Sequence, residues 1–219
     1  MKTDTELQRD VQNELHWERS IAAADIGVTA KEGVITLTGN VPSYFDKVEA
    51  EHITGRVVGV MGIAEELKVD LPDSNERTDG DIAQSALNVL AWNVAVPRDQ
   101  AKVKVESGWV TLSGQVDWHF QKMAAENAVH HLMGVTGVTN LISLKPMAAV
   151  EAAEIQSAIE NAFKRTARSD AQKITVTVNN GQVTLRGKAR SWTEKQEAGH
   201  SAWQTAGVSS VENDVVIAD

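Results

Sequence analysis

Gly33-Val34-Ile35-Thr36-Leu37-Thr38-Gly39 is the stretch that decides the fold, because it returns twice with the same spacing of glycines. The later copies are Gly-Trp-Val-Thr-Leu-Ser-Gly at residues 108–114 and Gly-Gln-Val-Thr-Leu-Arg-Gly at residues 181–187. The copies start 75 and then 73 residues apart, which is the length of a small domain rather than of a solenoid repeat. Ile35 and Leu37 alternate with Val34 and Thr36, so each copy predicts a half-buried β-strand.

The segments before this strand repeat in the same order in all three copies. First comes an amphipathic helix whose apolar residues stand at i, i+4 and i+8. Those residues are Leu7, Val11 and Leu15, then Ile82, Ala86 and Leu90, then Ile155, Ile159 and Phe163. Thr3 and Glu6 have the spacing of a capping box at the start of the first of these helices.

A short alternating strand then precedes each repeated strand and predicts an antiparallel hairpin. Its inward residues are Ile26, Val28 and Ala30, then Ala101, Val103 and Val105, then Ile174, Val176 and Val178. The segment Asn179-Asn180-Gly181 is the clearest turn signal, because Asn and Gly accept positive φ.

A second helix follows the second glycine of each copy. Ser191 and Glu194 predict another capping box, and Ser43 with Asp46 predicts a weaker one. We expect these helices to run to Gly59, Gly134 and Gly207, where glycine suits a left-handed C-cap. A last strand closes each copy, with inward residues Leu67 and Val69, then Leu141 and Leu144, then Val215 and Ile217.

The sequence therefore predicts an α+β protein of three tandem αββαβ domains, over residues 1–71, 72–145 and 146–219. Each domain should hold a three-stranded mixed sheet with two helices on one face. A right-handed crossover through the second helix makes the third strand parallel to the second. The other face of each sheet is then exposed or meets a neighbouring domain.

Composition limits the function classes. The chain has 219 residues and a net charge of −9, which divides into −6, −2 and −1 over residues 1–71, 72–149 and 150–219. An acidic chain without a basic stripe argues against nucleic-acid binding, because neutralising phosphates supplies most of that affinity. No cysteine is present, so disulfides, thiolate metal sites and cysteine nucleophiles are excluded.

The expected compartment follows from the N-terminal sequence. Residues 1–6 lead into an acidic helix, and neither a signal peptide nor a run of about 18 apolar residues is present. As written, the chain is expected to be cytoplasmic; removal of a leader would make it periplasmic.

The repeated motifs resemble those of a known family. An αββαβ unit with a Gly-x-Val-x-Leu-x-Gly strand and a later Gly-Val-x-x-Val turn is similar to the BON domain, named for bacterial OsmY and nodulation proteins. The turn stands at residues 59–63, 134–138 and 207–211, and the resemblance covers nearly the whole chain as three copies. It implies a bacterial protein of envelope protection and osmotic stress that binds phospholipid, with no known reaction.

The recurring positions are nearly all Gly or apolar and specify the fold. At Gly39, Gly114 and Gly187 we expect that a side chain would block the helix or the turn. Two polar positions also recur. Thr36, Thr111 and Thr184 suit an outward strand position through β-propensity. A lysine recurs in the first turns of the second helix with aromatic residues just upstream, which is a plausible pair for anionic headgroups. The alternative is a solvated lysine beside a hydrophobic staple. The candidate residues are Tyr44, Lys47, Trp118, Lys122, Trp192 and Lys195.

Two further regions are candidate contacts. Trp17 and Trp92 follow the apolar stripe of the first two domains, where packing at the core rim or between domains competes with a lipid or partner contact. The third domain is nearly neutral, so its Arg186, Lys188 and Arg190 are the basic residues from which we expect contact with anionic lipid.

Catalytic and metal-binding patterns are missing from the sequence. It contains no Gly-x-Ser-x-Gly, no phosphate loop, no dinucleotide motif and no His-Glu-x-x-His. The adjacent His130 and His131 point about 100° apart on a helix, which suits no chelate. The adjacent carboxylates Glu65 and Glu66 are interpreted as solubility residues rather than as a catalytic pair. We therefore expect no enzyme activity, no cofactor and no metal.

The sequence favours a non-enzymatic, stress-related protein that binds anionic phospholipid or a membrane surface peripherally through its tandem domains. The alternative is a homo-oligomeric or protein-binding adaptor that uses the exposed faces and edges of the sheets. Nucleic acid is not an expected partner.

Overall fold

The computed structural model describes residues 2–145, 150–165 and 174–217. Within them the chain forms three separate three-stranded sheets, with the orders β1-β2-β3, β4-β5-β6 and β7-β8-β9. The first two strands of each sheet pair antiparallel and the last two pair parallel. This arrangement confirms three tandem αββαβ domains with mixed sheets.

The helices and strands follow the predicted order in every domain. Domain 1 contains α1 (Asp4–Trp17), β1 (Ile26–Lys31), β2 (Val34–Val41), α2 (Tyr44–Arg56) and β3 (Gly62–Val69). Domain 2 contains α3 (Asp79–Trp92), β4 (Ala101–Glu106), β5 (Trp109–Val116), α4 (His119–His130) and β6 (Gly137–Leu144). Domain 3 contains α5 (Ala152–Arg165), β7 (Ile174–Asn179), β8 (Gln182–Ala189), α6 (Trp192–Trp203) and β9 (Ser210–Ile217).

Each domain has its own hydrophobic core between its sheet and its two helices. Ile35 and Leu37 are both 0% exposed, while Val34 on the opposite side of the strand is 42% exposed. The apolar stripes of the first helices are buried as predicted, since Leu7, Val11 and their counterparts in α3 and α5 lie in these cores.

The hairpin turns adopt positive φ at two successive residues in every domain. The angles are 49° at Asn180 and 78° at Gly181, which confirms the predicted turn. Glu32 and Ser107 occupy the position of Asn180 with φ of 51° and 52°. Neither residue type favours that conformation, so the first two turns carry strain that the third avoids.

Gly39 and Gly114 are required for a reason other than the predicted one. We expected a side chain there to block the helix or the turn. A Cβ at Gly39 would instead lie 2.0 Å from the carbonyl oxygen of Asp25, and one at Gly114 would lie 1.9 Å from that of Gln100. The backbone at the start of the neighbouring strand therefore excludes every side chain at these positions.

Two element details correct the sequence interpretation. The second helices end at Arg56, His130 and Trp203, several residues before the glycines that were expected to end them. Those glycines do adopt positive φ, but in the turn that follows the helix. In β6 the buried residue is Ile142, whereas Leu141 is 63% exposed, because the register places Ile142 opposite Gly114.

The helix N-termini are capped mostly as predicted. Thr3 and Glu6 form the full capping box. Ser191 accepts from the backbone N–H of Glu194, but the Glu194 carboxylate accepts from the backbone N–H of Arg190 at 2.6 Å instead of completing the box. Sequence analysis missed a second full box, formed by Thr78 with Asp81.

Candidate binding surface and interdomain joints

Tyr44, predicted to contact lipid, crosses from domain 1 to domain 2. It packs against the hydrophobic core of domain 2. Its ring meets that of His130 edge-on, with the centroids 5.4 Å apart. Burial raises the pKa of the Tyr44 phenol, and a hydrogen bond with the backbone of Val138 opposes part of that rise. The neighbouring Phe45 packs on His131, with the ring centroids 4.9 Å apart.

A second aromatic contact joins domain 2 to domain 3. The imidazole of His119 stacks on the indole of Trp203, with centroids 4.1 Å apart and planes 7° from parallel. Burial lowers the pKa of His119 to about 4, because it disfavours the charged form of the ring. Lys122 and His200 act in the same direction, because their positive charges repel a protonated imidazole. The ring is therefore neutral at pH 7.

Trp192, also predicted to contact lipid, lies between domain 3 and domain 1. Its indole packs on the buried Gly55 of α2, where a Cβ would stand 3.0 Å from the indole Cδ1. Its Nε1 is buried and has no hydrogen-bond partner within the described part of the chain. A cleft of about 280 Å³ runs along this joint and is lined by residues of both domains, including His52 and Gln196.

The predicted lysines are engaged within their own domains to different degrees. Lys47 donates to the carbonyl of Leu67 at 2.7 Å and pairs with Glu65 at 2.8 Å. Lys195 places its ammonium 5.5 Å from the ring centroid of Trp192, which is a cation–π contact. Lys122 is half-buried. As headgroup contacts, these three lysines remain predictions.

Trp17 and Trp92 lie in solvent, 84% and 90% exposed. This finding overturns the expectation that they pack at the core rim or between domains. Each is the last residue of a first helix, so the two occupy equivalent positions in domains 1 and 2. Val94, just beyond Trp92, is fully exposed, and Trp118 is 37% exposed. The most exposed aromatic side chains are therefore at the ends of α1 and α3, while Phe120 in the second helix α4 is 54% exposed.

The candidate basic residues of domain 3 are all exposed. Arg186 pairs with Asp214 across neighbouring strands, with 3.3 Å between Nε and Oδ2. Arg190 lines a cavity of about 650 Å³ whose other walls come mostly from domain 1, including Leu7 and Met61. Lys188 lies on the same strand as Arg186.

Sequence reasoning missed a side-chain hydrogen bond from the last strand to the backbone of the second helix, which we call the latch. Asn140 donates to the carbonyl of Lys122 at 2.9 Å, and Asn213 donates to that of Lys195 at 2.7 Å. Glu65 has the equivalent place in domain 1, where it pairs with Lys47. Reading Glu65 as a solubility residue was therefore wrong. The signal was available as a polar residue six positions after the glycine that begins each Gly-Val turn.

The described residues show no group of three His, Cys, Asp or Glu side chains that could hold a metal ion. Nε2 of His130 lies 3.6 Å from Oε1 of Glu126. This contact lowers the pKa of Glu126, whereas burial acts to raise it. Among the described residues, no helix has the length and apolar character needed to cross a bilayer.

The family model for the BON domain matches residues 3–70, 78–146 and 151–219, which is nearly all of the chain. This chain belongs to the BON family. Each match begins just before a first helix and includes one hairpin, one second helix and one closing strand, so each αββαβ domain is one BON domain.

Among proteins with BON-like sequences, the chain is similar to osmotically-inducible protein Y of Escherichia coli strain K12. The two are 31% identical over 147 residues, which cover 65% of this chain and 73% of that protein.

Solved structures provide a weaker comparison for the three BON domains. One is CdsD, a structural protein of the type III secretion system of Chlamydia trachomatis, at 16% identity over 97% of this chain and 92% of that one, with a TM-score of 0.28. The C-terminal domain of CdsD gives 15% identity over 100% of both chains, again with a TM-score of 0.28. TM-scores of this size do not establish a shared arrangement.

Proposed function

We propose that this protein is a non-enzymatic member of the osmotic-stress response that binds the surface of a membrane containing anionic phospholipid. Membership of the BON family and similarity to an osmotically-inducible protein support the stress role. The binding is peripheral, acting at the cell envelope through exposed side chains.

The exposure of Trp17 and Trp92 carries the proposal. An indole that is 84% or 90% exposed leaves a large apolar surface in water. Tryptophan is favoured at the boundary between headgroups and acyl chains, where its ring is buried and its N–H stays hydrated. Two such residues at equivalent positions form a repeated anchor.

The equivalent positions of the two indoles support simultaneous contact. Trp17 and Trp92 are each the last residue of a first helix, in two domains of one chain. Two weak anchors that reach one surface raise the apparent affinity for it by orders of magnitude.

Charge limits this binding and sets its salt dependence. The net charge of −9 repels an anionic surface, and residues 150–219 are the least acidic part, at −1. The exposed Arg186, Lys188 and Arg190 therefore provide the cationic contribution. Such contacts are worth about 1 kcal/mol each and are screened by salt.

Vesicle co-sedimentation tests the proposal directly. The Trp17→Ala/Trp92→Ala variant should bind vesicles of phosphatidylglycerol and phosphatidylcholine about tenfold more weakly than the wild type, since each lost indole removes apolar burial. Leu141→Ala is the matched control, because it removes an exposed apolar side chain from the open face of a sheet. Lys188→Glu should weaken binding to the anionic vesicles alone.

Brominated lipid provides an independent readout. Quenching of tryptophan fluorescence should be strong in the wild type and weak in the double tryptophan variant. Equal vesicle binding by the wild type and this variant, with no quenching in either, would rule out the indoles as anchors.

A second candidate function is a protein-binding or self-assembling adaptor. Leu141 and Val216, exposed by 63% and 57%, favour it, because they lie on strands at the free edges of their sheets. Light scattering distinguishes the two functions: a mass that rises with concentration, without vesicle binding, supports the adaptor.

A further inference from the structure

One contact repeats at all three joints between domains. The first residue of a second helix packs on the residue eleven positions into the second helix of another domain. The pairs are Tyr44 with His130, His119 with Trp203, and Trp192 with Gly55. The contact runs from domain 1 to 2, from 2 to 3 and from 3 back to 1. A head-to-tail contact that returns to its start generates a closed ring rather than a filament.

The paired side chains differ in size in a way that fixes the order of the ring. A phenol meets an imidazole, an imidazole meets an indole, and the indole of Trp192 meets a glycine. A Cβ at Gly55 would stand 3.0 Å from the indole Cδ1, closer than nearly all contacts of real Cβ atoms. The absence of a side chain at Gly55 therefore leaves the space that the indole of Trp192 occupies, and we call this space the socket.

The joint between α2 and α6 differs from the other two in its connectivity. The other joints connect consecutive domains, so a linker holds their partners at high effective concentration. Domains 1 and 3 are not consecutive, and only the packing itself closes this joint. Within the described residues, the buried Nε1 of Trp192 has no hydrogen-bond partner. The cost of removing this N–H from water offsets part of the packing energy. Opening this joint therefore separates two domains that no linker connects directly.

We propose that the α2–α6 joint exchanges between copies of this chain. The closed ring is a monomer; when the joint opens, Trp192 of one copy packs on Gly55 of a second copy and the reverse contact forms at the same time. The two free ends are complementary, so a two-fold dimer re-forms both contacts once the joints between consecutive domains change angle at their linkers. The inference goes beyond membrane binding and does not depend on it.

A cysteine pair tests the closed state. The chain has no cysteine of its own, and a Cβ at Gly55 would lie 3.6 Å from the Cβ of Trp192, which suits a disulfide. Oxidised Gly55→Cys/Trp192→Cys protein at low concentration should be a monomer with an intrachain disulfide. Gly55→Cys/Trp92→Cys is the control and should form none. Interchain disulfides alone in the test pair would overturn the ring.

Mixing two single variants tests the exchange. Gly55→Cys chains combined with Trp192→Cys chains at high concentration should give a covalent dimer that contains one of each. Its yield should be at least about five times that from Gly55→Cys chains mixed with Trp92→Cys chains, because only the exchanged joint holds the cysteines together. Equal yields from the two mixtures would overturn the exchange.

Filling the socket provides a readout without cysteines. Gly55→Leu should open the ring and increase the radius of gyration measured by X-ray scattering. Gly80→Leu is the control, since a Cβ at Gly80 meets no atom closer than 3.8 Å. A Gly55→Leu protein that is folded by circular dichroism, yet has an unchanged radius of gyration, would contradict the role of this joint.

Discussion

At the scale of single residues, the glycines of the repeated strand are constrained by the neighbouring backbone. Gly39 has φ of 122° and a carbonyl oxygen 2.0 Å from where a Cβ would be. Side chains can change rotamer to relieve a close contact, whereas a strand backbone can move only by breaking its ladder. The backbone therefore decides which residue these positions accept.

Gly39→Ala should lower the free energy of unfolding by about 3 kcal/mol or more, because it combines backbone strain with a clash. Urea unfolding followed by circular dichroism measures the loss. Gly62→Ala is the matched control in the same sheet, since a Cβ there would lie 3.7 Å from the nearest atom, on Val34. Similar losses in the two variants would contradict the clash.

At the scale of elements, the latch of Asn140 joins strand β6 to helix α4. Its amide donates to the carbonyl of Lys122 and to the Glu126 carboxylate at 3.0 Å, while its oxygen accepts from the N–H of Ile142 at 3.1 Å. One side chain thus fixes the distance between a strand and the helix beside it. In domain 3, Asn213 makes two of these three hydrogen bonds, donating to the carbonyl of Lys195 and accepting from the N–H of Val215.

Asn140→Asp should destabilise the protein by about 2 kcal/mol at pH 7, since it removes two donors and places a second carboxylate beside Glu126. Thermal unfolding at several pH values measures this loss, which should shrink as the carboxylates protonate. Asn127→Asp adds the same charge at an exposed position of α4 and should have little effect. A loss that does not change with pH would exclude carboxylate repulsion.

At the scale of the whole molecule, the stacked His119 makes the joint between domains 2 and 3 sensitive to acid. Lys122 and His200 face the ring and oppose its protonation, while Glu126 favours it. Its pKa falls from 6.5 to about 4 on folding, so the folded protein favours the neutral form. The stabilisation is therefore fully present above pH 6.5 and is lost as the pH falls towards 4.

We expect the wild type to lose about 1–2 kcal/mol from this source between pH 7 and pH 4, after allowing for solvent screening of a partly exposed ring. His119→Phe keeps an aromatic stack on Trp203 but cannot be protonated. Its unfolding free energy should fall less over the same pH range. Identical pH profiles for the two proteins would show that His119 does not govern this dependence.

The sequence by itself determined the three domains, their αββαβ order and their cores. Periodicity and glycine spacing act over short distances: Ile35 and Leu37 face inward because a strand alternates, and Asn180 turns because its backbone tolerates positive φ. The family followed from the same local motifs, since the threefold repetition made weak signals specific.

Only the tertiary structure decided which surfaces face solvent and which join the domains. An aromatic residue beside a helix start has the same sequence signature whether lipid, solvent or another domain covers it. Tyr44 and Trp192 pack on other domains, whereas Trp17 and Trp92 are exposed. The physical reason is that burial of a surface residue depends on contacts between distant segments, and neither periodicity nor spacing within one domain records them.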